Sequence, residues 1–297
     1  MTISQTKHLA STAMLLLFFN MASIGQKLEP KERIIEPDHV LASEIMGKDY
    51  QLYMTFPKNY SNQDTLSYPV LYVLDGKIAF PSIRGTMIAL NLFEDQLEDV
   101  IIVGVCSGLD LRSWGISRTY DYTTSVDTAY DRHSERMRDL PEGTFNSGGA
   151  EDFLNCLKYE IIPFVDEHYK TNVDRGIAGH SYGGLFAAWC LMNSDGYFTR
   201  FGISSPSLWW HNEKLLNQVA LQFNDNKPWD IPPSKVFISV GKNEKIMVPL
   251  MEKFRDYLIT ADYENIDLAW QIFEGETHLS AWPVGISKTI TTLYRIE

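Results

Sequence analysis

Cysteine is scarce in this chain: three residues in 297, at Cys106, Cys156 and Cys190. None stands at metal-ligand spacing from another cysteine or a histidine, and an odd count permits at most one disulfide with a thiol left over. Cys106 ends a strand-like run and Cys190 falls in an apolar helical run, so both read as small buried apolar residues. Positive charge is also short. Lysine and arginine number 26 against 38 acidic residues, for a formal net charge of −12, so no basic face offers itself to nucleic acid. No stretch after residue 25 approaches the apolar length of a membrane span. Internal repeats, low-complexity tracts and linkers are lacking too, and nothing implies a metal or organic cofactor.

The one long apolar run lies at the start. Lys7 and His8 precede Leu9 to Phe19, and Asn20 to Gly25 follows with small residues, Ser23 and Gly25 standing at −3 and −1 before Gln26. This is the pattern of a secretory signal. Residues 1–25 are therefore expected to be a signal peptide and residues 26–297 a single domain. The mature protein is expected to be periplasmic or secreted, with no stable membrane insertion after signal removal.

Tyr50, Leu52, Met54 and Phe56 alternate with other residues, which predicts a half-exposed antiparallel strand. Val70 to Leu74, Val100 to Val105, Ile177-Ala178, Phe201 to Ile203 and Val236 to Val240 are near-continuous apolar runs, as in strands buried on both faces. Asp267 to Phe273 resembles a further strand. Helical patterns lie between them, over 149–169, 247–260 and 284–294, with Pro163 expected to bend or end the first early. Such alternation predicts an α/β fold: a mainly parallel, doubly wound sheet entered through an antiparallel N-terminal edge. From Ser107 to Ser147 no periodicity is sustained, which predicts a long functional or mobile loop. Its run Asp131-Arg132-His133-Ser134-Glu135-Arg136 reads as a solvated face, while Arg112, Trp114 and Arg118 are candidates for facing a substrate.

The segment Gly179-His180-Ser181-Tyr182-Gly183-Gly184 follows Gly176-Ile177-Ala178 and precedes the apolar run Leu185 to Met192. A serine between glycines, after a strand and before a helix, is the nucleophile-elbow pattern. Gly179 and Gly183 are expected to be needed because a Cβ at either would strike the neighbouring strand or helix. The helix N-terminus beneath Ser181 would bring positive dipole and free N–H groups to a developing oxyanion. His180 is expected to point away from the serine hydroxyl.

A serine hydroxyl needs a base, and in this architecture the chain order is serine, acid, histidine. Of seven histidines, His278 stands directly beyond the last strand candidate. Glu244 follows the penultimate strand, where it would fix the imidazole tautomer; Glu276 is the alternative acid. The oxyanion donors would be the backbone N–H groups of Tyr182 and of Lys77, after the turn Asp75-Gly76. Trp209 and Trp210 could stack on an aromatic or sugar ring, or simply fill the core.

Several further segments carry a resemblance: Tyr68 to Gly76, Arg118 with Asp121-Tyr122-Thr123, Gly148 to Leu154, and Ile161 to Phe164. With them stand Gly179 to Gly184, Ser205 to Trp210 and Gly275 to His278. Together they resemble the esterase-D-like esterases of the α/β-hydrolase superfamily, in particular the trilactone-siderophore esterases and their exported relatives. The resemblance implies an α/β-hydrolase fold without a separate cap domain. It also implies a serine carboxylester hydrolase acting through an acyl-enzyme, on a siderophore or other aryl ester or on a polysaccharide-linked acyl ester. Family members that are acyltransferases or S-formylglutathione hydrolases leave those as alternatives, and a non-catalytic binding protein is a third. Some siderophore esterases work with a serine–histidine pair and a weak acid, which leaves Glu244 the most open of the three positions.

Overall fold

The apolar runs line up side by side. In the computed structural model, which describes residues 35–296 apart from residues 64, 94–96, 109, 225–230 and 261–264, they form one sheet. Its strands are β1 (His39–Ser43), β2 (Lys48–Thr55), β3 (Tyr68–Leu74), β4 (Ile101–Ser107), β5 (Thr171–His180), β6 (Arg200–Ser204), β7 (Ser234–Gly241) and β8 (Ile266–Phe273). The order is β1-β2-β4-β3-β5-β6-β7-β8. β1 pairs antiparallel with β2 and β2 with β4, and the remaining pairings are parallel. The expected parallel sheet with an antiparallel N-terminal edge is thus observed. Residues 36–297 form one compact unit; the expected signal peptide, 1–25, lies outside the described residues.

β2 departs from expectation. Tyr50 to Met54 are buried without alternation, because β1 takes the outer edge and carries the alternating pattern itself. Helices cover both faces of β2: Tyr50 stacks on Phe153 at 5.5 Å, and Tyr53 meets Phe80 at 5.6 Å.

Phe80 belongs to α1 (Gly76–Phe93), which starts where the sequence suggested only a tight turn. A Cβ on Gly76 would lie 2.5 Å from the Gly104 carbonyl carbon, so glycine lets the helix start against β4. The expected long loop is largely two helices, α2 (Leu111–Tyr122) and α3 (Thr128–Met137). Their apolar period was invisible because their buried faces are largely polar: Thr119 and Asp121 beside Tyr122 on α2, and Asp131, Ser134 and Glu135 on α3. The solvated reading of the 131–136 run therefore fails for half of it. Ser147 Oγ donates to Asp131 Oδ2 (2.9 Å) and the Phe145 N–H to Glu135 Oε1 (3.0 Å), so these acids hold the return of the chain. A capping box between Asp110 and Ser113 opens α2.

α4 (Ala150–Cys156) runs through a π turn, Leu157–Ile161, into α5 (Ile162–His168). Pro163 does not end the helix early; it sits at the start of α5, directly after the π turn in which the Ile162 N–H bonds to the Leu157 carbonyl. The other helices are α6 (Tyr182–Asn193), α7 (Trp210–Asn224), α8 (Met247–Thr260) and α9 (Ala281–Leu293). α1 packs with α9, α6 lies against β5 and β6, and α2 packs on α6 and β4. The three cysteines are buried and unpaired, and burial pushes the Cys106 and Cys156 thiols up to about 12. Among the described residues no helix is long and apolar enough to cross a membrane.

Candidate active site

β5, β7 and β8 run parallel, so the residues after them emerge at one edge of the sheet. After β5 the chain reverses into α6 within one residue. That residue is Ser181, at φ 60°, ψ −117°, a strained conformation for a side chain with a Cβ. Close packing of glycine backbone sustains the turn. A Cβ on Gly179 would lie 2.3 Å from the Gly183 carbonyl carbon, and one on Gly184 would lie 2.5 Å from the Ser204 carbonyl oxygen. The expectation for Gly183 is corrected: a Cβ there comes no nearer than 3.4 Å to Asp75 and Leu74, so Gly184 is the second constrained position.

After β7, Gly241-Lys242-Asn243 curls back so that Glu244 is 7% exposed. Its Oε1 accepts from Ser205 Oγ (2.7 Å) and the Gly241 N–H (2.8 Å), and its Oε2 from His278 Nδ1 (2.6 Å). Burial opposes ionisation of this carboxyl, but the bonds from His278, Ser205 and Gly241 outweigh it and hold it below the usual carboxylate range. His278 stands on the turn between β8 and α9. With Nδ1 tied to Glu244, its Nε2 is left for proton transfer. Glu276, the alternative acid, takes part through its backbone: its carbonyl accepts from the Asn243 N–H at 2.9 Å.

Ser181 Oγ pairs with Ser207 Oγ at 3.3 Å. Among the described residues no hydrogen bond joins Ser181 to His278, a separation common before substrate binds. The residue before the serine does approach His278: the His180 ring lies 4.6 Å from the His278 ring, centroid to centroid. Tyr182 opens α6, so its N–H has no acceptor within the helix. Lys77 lies in the first turn of α1, and its backbone N–H is also within reach of the buried Cys106 sulfur.

The four candidates for substrate contact fare differently. Arg118 binds Asp75 twice, and Trp114 Nε1 donates to the same carboxylate at 2.8 Å, so the polar atoms of both are engaged within the protein while their side chains remain half-buried. Trp210 is 1% exposed with its Nε1 on the Ser125 carbonyl, which makes it core. Trp209 is half-buried and lies tilted against Tyr182 and Tyr130 (6.0 and 6.3 Å), so part of its ring stays uncovered. Sequence reasoning missed Ser205 and Ser207, although both lie in the Ser205-to-Trp210 segment that carried the resemblance.

A strained serine at a helix N-terminus, beside a carboxylate-held imidazole, is equipment for nucleophilic acyl transfer. The sheet order with this strand–serine–helix turn is the α/β-hydrolase fold. The family model described as "Putative esterase" matches residues 43–278, and the chain belongs to that family. An apo-salmochelin esterase of Escherichia coli O6:H1 is 32% identical over 180 residues, 58% of this chain and 51% of the relative, so the match spans about half that protein's length. Ferri-bacillibactin esterase BesA of Bacillus subtilis is 25% identical over 267 residues, 84% of this chain and 86% of its own. The crystal structure of the BES protein from Bacillus cereus superposes with a TM-score of 0.71 at 26% identity, covering 90% of this chain and 99% of that one. An IroE-like serine hydrolase from Shewanella oneidensis gives 0.71 at 22% identity, covering 86% and 79%.

Proposed function

We propose that the protein is an exported serine carboxylester hydrolase that opens the ester bonds of a siderophore. The observation that carries the reading is the strained Ser181 turn at the same sheet edge as the 2.6 Å Glu244–His278 pair. In this reading Ser181 Oγ attacks the ester carbonyl while His278 Nε2 takes its proton. Glu244 stabilises the imidazolium, and backbone N–H groups of Tyr182 and Lys77 receive the oxyanion. The carbonyl–alkoxy bond then breaks, the alcohol leaves with the proton from His278, and water releases the acyl group by the same steps in reverse.

Relatives named for salmochelin and bacillibactin esterolysis favour a siderophore over a polysaccharide-linked ester. Trp209 is the surface on which an aryl ring of that substrate stacks. The signal-like segment at residues 1–25 supports export.

The test is hydrolysis of p-nitrophenyl acetate and labelling by a fluorophosphonate, in wild type and Ser181→Ala. A catecholate trilactone, a feruloylated arabinoxylan fragment and acetylated xylan are then compared as substrates, each with and without iron where it binds iron. Turnover and labelling that vanish in Ser181→Ala, with the trilactone preferred, support the proposal. An unlabelled, inactive wild type removes the enzyme reading, and preference for either xylan moves the substrate class. Export is read separately, from the location and N-terminus of the protein expressed in a bacterial host.

A further inference from the structure

His180 precedes the serine, and its backbone carbonyl accepts from Arg118 Nη2 at 3.3 Å. Its side chain is 2% exposed, with Nδ1 paired to Ser204 Oγ at 3.2 Å. Its Nε2 is buried and makes no full hydrogen bond. The ring is used instead through its faces. It stacks on Trp282 with centroids 4.9 Å apart and planes 10° apart, and it meets His278 at 4.6 Å and 38°.

The His278 side chain is held by the bond from Nδ1 to Glu244, the one side-chain hydrogen bond it makes among the described residues, and is 35% exposed. A single hydrogen bond fixes one atom of an imidazole and leaves the ring free to swing about that bond. A ring packed against it at 4.6 Å restricts this freedom. Together the two restraints define both the position and the plane of the ring, and so the direction in which Nε2 points.

We infer that His180 is a positioning residue for His278: an aromatic plate, stacked on Trp282, that fixes the plane of the imidazole serving Ser181. The inference rests on the proposed serine mechanism for its kinetic consequence, though not for its structural one. His180 exchanges no proton in the reaction; the proton passes between Ser181 Oγ, His278 and the leaving alcohol. Burial first, then the charges of His278 and Arg118, hold its pKa well below the ordinary histidine value, so the plate stays uncharged when His278 becomes imidazolium.

The experiment compares wild type with His180→Ala and His180→Phe, the second keeping a flat ring without its nitrogens. Three readouts are taken: kcat and KM on p-nitrophenyl acetate, melting temperature, and the His278 Nδ1–H signal by proton NMR. His180→Ala is expected to lower kcat by about 10–100-fold with KM changed less than about 2-fold, since a misdirected base affects the chemical step alone. Its Nδ1–H signal is expected to broaden through solvent exchange. His180→Phe, if folded, is expected to recover most of the rate and the sharp signal. A His180→Ala variant with unchanged kcat and a sharp signal overturns the inference, as does a well-folded His180→Phe no better than His180→Ala. If wild type hydrolyses no ester while the signal still follows ring size, the esterase reading falls and the positioning of His278 stands.

Discussion

Arg118 and Asp75 are joined by two hydrogen bonds of 2.9 Å, Nε to Oδ1 and Nη2 to Oδ2. Asp75 is fully buried and held at φ 57°, in the turn between β3 and α1. The guanidinium also lies over the rings of Trp114, Tyr122 and Tyr182, 5.0 to 5.5 Å from their centroids. One cation thus ties the turn after β3, the helix α2 and the serine turn together. Removing it strands a buried carboxylate, so Arg118→Ala is expected to cost about 3–5 kcal/mol of stability. Arg118→Lys is expected to recover only part, because an ammonium does not reproduce the paired geometry. Urea denaturation checks both; a loss below about 1 kcal/mol for Arg118→Ala, the range of exposed pairs, contradicts the account.

Glu244 offers a second prediction, because its two oxygens do different things. Oε1 holds the loop through Ser205 and Gly241, and Oε2 holds His278. Glu244→Gln keeps the shape but presents an amide that cannot stabilise an imidazolium and can favour the wrong tautomer. The expected result is a drop in kcat of about 10²–10⁴-fold with little change in KM. Steady-state kinetics decide it, and wild-type kcat in the variant would reduce the machinery to serine and histidine.

The glycines of the serine turn separate by geometry. Gly184→Ala puts a methyl 2.5 Å from the Ser204 carbonyl oxygen, between two backbones that have nowhere to move. Gly183→Ala meets its nearest atoms at 3.4 Å. Thermal melts are expected to show a large loss for Gly184→Ala, of several degrees or more, and a small change of either sign for Gly183→Ala inside a helix. Equal losses at both positions would mean that the turn is loosely packed.

How far the sequence reached follows from which forces leave a pattern in it. Buried parallel strands are continuous apolar runs, so β3, β4, β6 and β7 were visible; β5 showed only in its buried second half and the partly exposed β8 as a less uniform pattern, while the Gly179-to-Gly184 turn was visible through its glycines. The helices α2 and α3 were not, because Asp121, Asp131 and Glu135 are buried by hydrogen bonding rather than by hydrophobicity. Arg118 and Trp114 looked available because nothing in the sequence places Asp75, some forty residues earlier, beside them. The pair Trp209 and Trp210 shows the same limit: both pack against Tyr130 and Tyr182, and only the fold says that Trp210 is buried with its Nε1 on the Ser125 carbonyl while Trp209 stays partly uncovered. The His180–His278 contact joins residues almost a hundred apart by ring packing, which has no sequence signature.

His180 also gives the pH dependence of stability a particular source. Its pKa in the fold is well below 6.5, whereas the unfolded chain takes up the proton near that value. Below about pH 6.5 the unfolded state therefore binds more protons than the native state, and linkage makes stability fall as pH falls. The stabilisation is complete above the unfolded value and is lost progressively as pH drops towards the folded one. His180→Phe removes this proton from both states. Between about pH 5 and 6.5 the stability of wild type is expected to fall more steeply than that of the variant, by at most about 1.4 kcal/mol per pH unit, the limit for one proton. Urea titrations at four or five pH values across that window measure the two slopes. Parallel slopes would show that His180 takes its proton as readily in the fold as outside it, and that the ring beside His278 is not held neutral.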